Sequence, residues 1–103
     1  MLPSLGTQVA ASSRMAEQRQ LARRAPDSAR VAALIDGLEK AGGRLTLAEA
    51  ARIAGESPVR MSGYLAHVAR LLNVDGYRVV GTADGGRTVE LNTQLLRQQF
   101  LGR

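Results

Sequence analysis

Along this chain apolar side chains fall at two kinds of spacing, and the change from one to the other marks its clearest feature. In residues 57–72, SPVRMSGYLAHVARLL, Met61, Leu65, Val68 and Leu72 recur at steps of four, three and four. That spacing puts them on one side of a helix. Ser57 is a suitable N-cap and Pro58 fits the first helical position, so the helix begins there. Asn73 and Gly76 end it, and the chain turns to an extended pattern. Val74, Tyr77, Val79 and Val80 lie on one arm, and Thr88, Val89 and Leu91 on the other. Between the arms, Asp84, Gly85 and Gly86 tolerate the positive φ that a tight hairpin turn demands. A long helix followed by a hairpin is the second half of a winged helix-turn-helix.

The residues before it supply the first half. Val31, Leu34, Ile35 and Leu38 stand at i, i+3, i+4 and i+7 after Pro26-Asp27-Ser28, an apolar stripe that predicts a helix ended by Ala41-Gly42-Gly43. Arg44-Leu45-Thr46 is short, but it can join the hairpin as a third strand. Thr46 and Glu49 form a capping-box pattern at the start of an alanine-rich helix, and residues 55–57 connect it to the long one. A short helix, a tight glycine turn and a longer helix is a helix-turn-helix signature. The spacing alone is common, and the hairpin beside it makes it specific. Asn92 caps a last helix whose Leu95, Leu96 and Phe100 close the core. The expected fold is mostly α with a small antiparallel hairpin: helix, short strand, helix, helix, strand, strand, helix, over residues 26–103.

Residues 1–25 read differently. They hold little sustained apolar periodicity, and their four arginines against one glutamate give a net charge of +3. The expectation is a mobile basic linker or tail, left where the chain was cut from a longer protein. Residues 26–103 carry only the remaining +2 of the chain's +5. The folded part is therefore nearly balanced.

Composition narrows the chemistry. With one Phe, two Tyr and no Trp, the core must be aliphatic, and with no cysteine there is no disulfide framework or cysteine-based zinc site. Absent disulfides fit a cytoplasmic protein. No apolar run reaches membrane-spanning length, so no membrane partner is expected. His67 is the only histidine, so neither a nucleophile triad nor a histidine metal cluster can be built, and Ser57 and Ser62 lack a base. Asp75-Gly76 and Asp84-Gly85-Gly86 lack the further ligands of a calcium loop and the Gly-Lys-Ser/Thr of a nucleotide loop. They are turns. No catalytic residue, metal, cofactor or small-molecule ligand is expected.

The remaining candidates are binding residues. On the long helix Arg60, His67 and Arg70 lie opposite the apolar stripe with Tyr64 at its flank, where a recognition helix would meet double-stranded DNA. Arg87 beside the hairpin turn is the better placed of the two strand arginines to touch a phosphate. Arg78 is the other. Against this, Val59, Gly63 and Ala66 take up much of the same face, and Asp84 and Glu90 offset the hairpin's charge. A protein-docking surface around Val59, Ala66 and Leu71 is the competing expectation.

Leu71-Leu72-Asn73-Val74-Asp75-Gly76-Tyr77, the stretch from Asp84-Gly85-Gly86 through Leu91, and Leu95-Leu96-Arg97 to Phe100 resemble the C-terminal region of the PglZ proteins. These belong to phage-growth-limitation and bacteriophage-exclusion (BREX) defence systems. The resemblance covers about residues 41–100. It implies a part of a larger phage-resistance protein whose alkaline-phosphatase-like domain, with its metal ligands and nucleophile, lies elsewhere in the longer chain. It also implies other domains or defence-system proteins as partners.

Overall fold

A computed structural model describes residues 2–102 as six helices and a three-stranded sheet. The helices are α1 (Leu5–Ala10), α2 (Ser13–Leu21), α3 (Ser28–Lys40), α4 (Leu47–Ala54), α5 (Pro58–Leu72) and α6 (Thr93–Phe100). The strands are β1 (Arg44–Thr46), β2 (Val80–Ala83) and β3 (Thr88–Leu91), in sheet order β1-β3-β2 and antiparallel throughout. From α3 onward the element order is the one the sequence predicts. The third strand is also present, with Leu45 opposite Val89 on β3.

Local chemistry accounts for most boundaries. The capping box forms as expected: Thr46 Oγ1 accepts from the Glu49 amide, and the Glu49 carboxylate accepts from the Thr46 amide at 3.2 Å. Asn92 caps α6 through its side-chain oxygen. Ser57 departs from expectation. Its backbone is extended, as an N-cap requires, yet its hydroxyl makes no capping hydrogen bond, and Pro58 removes one of the amides that would need one.

The hairpin is shorter than its sequence suggests. Val74–Gly76 winds into a single 3-10 turn with Asp75 at φ 56°, and pairing begins only at Val80. Val74 is thus buried off the sheet and Tyr77 is exposed. The strand is aligned instead by Asn73, the C-cap of α5. Its side-chain oxygen accepts from the amides of Val79 and Val80 at 2.8 and 2.9 Å, and its Nδ2 donates to the Val80 carbonyl. Those bonds satisfy backbone groups of two buried residues, as a neighbouring strand would. The turn itself has positive φ at Asp84, Gly85 and Gly86.

The largest difference lies at the start of the chain. Where the sequence reading expects a mobile tail over residues 1–25, residues 5–21 form two capped helices packed into the core. Leu5, Val9 and Met15 are buried with the side chains of α3 and α5. A six-residue helix is too short to persist by propensity, so docking must hold α1 in place. Gly6 allows it. A Cβ there would stand 2.1 Å from the Ala32 carbonyl oxygen, so the backbones of α1 and α3 touch. The Gly6 amide, unpaired within its own helix, donates to Asp36 Oδ1 at 2.7 Å. The carboxylate also faces the positive end of α1, a favourable arrangement. Few large apolar residues were needed because the contact is close.

Gly6→Val therefore wedges α1 off α3. Chemical denaturation of the variant should show a loss of about 2 kcal/mol or more, the range for overpacked core contacts. An unchanged midpoint would return residues 1–21 to the status of a tail. Met15→Ala gives a second reading of the same contact, with an expected loss of about 2–3 kcal/mol.

Candidate nucleic-acid interface

Helix α5 turns six buried side chains inward: Met61, Tyr64, Leu65, Val68, Leu71 and Leu72. They face α4, α2 and β2. The opposite side is open. Val59, Arg60, Gly63, Ala66, His67 and Arg70 are all exposed, in agreement with the helical spacing.

Two of the expected surface residues are not on that side. Tyr64 is only 8% exposed. Its ring lies beneath the Arg30 guanidinium, 4.9 Å from the carbon to the ring centroid. Arg30 also donates through Nε to the Ala54 carbonyl at 2.6 Å and through Nη2 to Glu56 at 3.2 Å. One planar side chain on α3 therefore fixes the last turn of α4, the connection and the face of α5. The other is Leu71, which α2 covers; Gln18 Nε2 donates to the Leu71 carbonyl there. The apolar part of the open side is thus Val59, Gly63 and Ala66, with Val59 93% exposed.

Charge is distributed unevenly among the exposed cations. Arg44 pairs with both Asp84 and Glu90, Arg78 reaches Glu90 at 4.0 Å, and Arg97 pairs with Glu39 at 2.6 Å. The hairpin's two carboxylates are therefore engaged with Arg44 and Arg78. Among the described residues, Arg60, Arg70 and Arg87 have no carboxylate partner within the ion-pair distance. His67 and Arg70 share a groove with Arg23 and Arg24, from the segment between α2 and α3. Arg60 and Arg87 are not among its lining residues. The sequence showed Arg23-Arg24 as tail charge. Nothing in their own neighbourhood announces that Met15 and Gln18 anchor them beside α5. Among the described residues no group of three or more His, Cys, Asp or Glu gathers to hold a metal, and no helix is long and apolar enough to cross a membrane.

Burial holds the Tyr64 phenol above its ordinary value of 10.0, against the opposing pull of the Arg30 charge. Its hydroxyl has no hydrogen-bond partner. Because the folded-state value is raised, the associated stability is complete below pH 10 and is lost as the pH climbs through the folded-state value. Tyr64→Phe should abolish that alkaline component and leave stability at pH 7 equal or slightly higher, since a buried unpaired hydroxyl is removed. Arg30→Lys, which cannot both stack and fork, should lower stability by about 2 kcal/mol. Thermal melts at pH 7 and pH 11 check both.

No curated protein and no solved structure matches this chain. The sequence profile of a family described as "BREX system PglZ C-terminal domain" matches residues 2–101, which takes in the three helices α1, α2 and α3 that the resemblance over residues 41–100 left out. With nearly its whole length matched and its helices and sheet accounted for, the chain belongs to the PglZ C-terminal domain family of BREX defence systems.

Proposed function

We propose that this domain is a non-catalytic, winged-helix module that binds double-stranded DNA through the open side of α5 and the hairpin tip, within a larger phage-defence protein. The observation that carries the reading is that α5 and the hairpin present exposed cations with no carboxylate partner among the described residues, as Lys40 and Arg52 also do on α3 and α4. Carboxylates occupy Arg30, Arg44, Arg78 and Arg97, while Arg60 and Arg70 on α5 and Arg87 at the hairpin have none among the described residues. Unpaired guanidiniums are the groups that exchange counterions for phosphates. Gly63 and Ala66 between them leave room for a close approach to the floor of a major groove. His67 adds a donor on the same side. Tyr64 is left out of the interface, because its ring is covered. Catalysis is assigned to the rest of the defence protein, whose phosphatase-like part the family resemblance implies.

A second reading rests on Val59. A valine 93% exposed beside Gly63 and Ala66 suits docking to another domain or another defence component. On that reading the arginines are the rim of a protein interface, and DNA affinity is absent.

The two readings separate in one experiment. Labelled duplex DNA is titrated with the full chain at several salt concentrations and followed by fluorescence anisotropy. On the DNA reading, affinity falls as salt rises. Arg60→Glu with Arg70→Glu should reduce it at least about tenfold while the melting temperature stays within about 2 °C, since both side chains are exposed. Equal affinity in that double variant removes α5 from the interface.

A further inference from the structure

The segment linking α2 to α3 carries Arg23 and Arg24 and closes one side of a groove of about 550 Å³ against α5. Arg23, Arg24, His67 and Arg70 all line it, together with Gln18 and Leu21, and no carboxylate residue does. Three guanidiniums lining one groove without an acid repel one another unless an anion joins them, and the His67 imidazole beside them offers a further ring nitrogen for a hydrogen bond. Acids are not scarce nearby in the sequence. They are committed elsewhere: Asp27 caps α3, Asp36 receives the Gly6 amide, and Glu56 holds Arg30. The shape of the groove is set by two hydrogen bonds that leave its cations unused. Gln18 Nε2 ties α2 to the Leu71 carbonyl of α5, and Arg19 Nη1 donates to the Pro26 carbonyl at 2.7 Å, fixing the segment from its far end.

From this arrangement we infer that the groove is a phosphate site, and that its occupant is a backbone phosphodiester of the duplex lying on α5. The inference rests on the DNA reading above and extends it to the N-terminal part of the chain. Guanidiniums suit a phosphate because their fork donates to two oxygens at once, and here two of them come from a separate element, so they can grip from the side. The groove is larger than a phosphate, and Leu21, 80% exposed at its rim, offers an apolar surface to the adjoining sugar. Contacts of this kind place a protein on the duplex without reading sequence. The division of work follows: Arg60 and the open side of α5 meet the bases, while Arg23 and Arg24 hold the backbone beside them.

The test uses the full chain, wild type and Arg23→Gln with Arg24→Gln, on matched duplexes of different sequence over a salt series. Both arginines are exposed, so the fold should be unaffected, and a far-UV spectrum with a melt verifies this. The expected result is a loss of about tenfold or more, equal for every sequence. The slope of log affinity against log salt should become shallower by about two, one for each phosphate contact removed. Lysine at both positions should recover most of the affinity. If wild type binds and the glutamine variant matches it in affinity and slope, the groove is not part of the interface, while the α5 reading stands. If wild type binds no duplex at any salt, the DNA reading fails, and pyrophosphate followed by NMR decides the groove alone. Saturable shifts of the His67 ring that vanish in the glutamine variant keep it as a phosphate site, and unmoved His67 signals overturn it.

Discussion

Six apolar side chains on one helix have to be covered at once, and no single neighbour is wide enough to do it. The buried arc of α5 runs from Tyr64 and Leu71 through Met61 and Val68 to Leu65 and Leu72. Helix α4 covers part of it, β2 another part, and α2 the remainder. This explains why the domain needs its N-terminal helices. Without α2 and its Gln18 anchor, Leu71 is left facing water, and a helix with an exposed leucine beside its cationic side is poorly suited to a polar ligand. It also explains why the sheet is so small. Its central task is to present Val80, Val89 and Leu91 to the core, and three short strands suffice.

Polar groups do the aligning that apolar contacts cannot. Asn73 holds the start of β2 by imitating a strand, Arg30 joins α3 to the connection between α4 and α5, and Asp36 receives the first turn of α1. Each reaches an end of a helix or strand where backbone amides or carbonyls would otherwise be unpaired. Burial is thus largely non-directional, and these three side chains give it a geometry.

How much of this is legible in the sequence depends on range. The stripe on α3, the capping box at Thr46, the hairpin turn and the inward side of α5 are set by residues within one or two turns of each other, and all appear as read. The helical pattern positions Tyr64 at the edge of the apolar side, and the edge becomes interior only when Arg30, distant in the chain, lies on it. The N-terminal helices are faint in the sequence for a related reason. Leu5, Val9 and Met15 are a sparse signal, and what makes them sufficient is a glycine whose importance shows only against Ala32. In the sequence Arg23 and Arg24 are charge without a location. Their role depends on a packing partner that local periodicity does not reveal.

The pairing of β1 with β3 has a kinetic side. Residues 47–87, the two central helices and the first arm of the hairpin, lie between the paired strands, so the ladder closes a long loop. Closing it costs entropy that neither strand repays until the intervening elements have shortened the gap. The helix pair and the β2–β3 turn, being local, are suited to form early, and β1 to zip on last. In the native state the same order runs in reverse. The first opening would be at β1, at the edge of the sheet, and hydrogen exchange would report it there while α5 and its cations stay assembled.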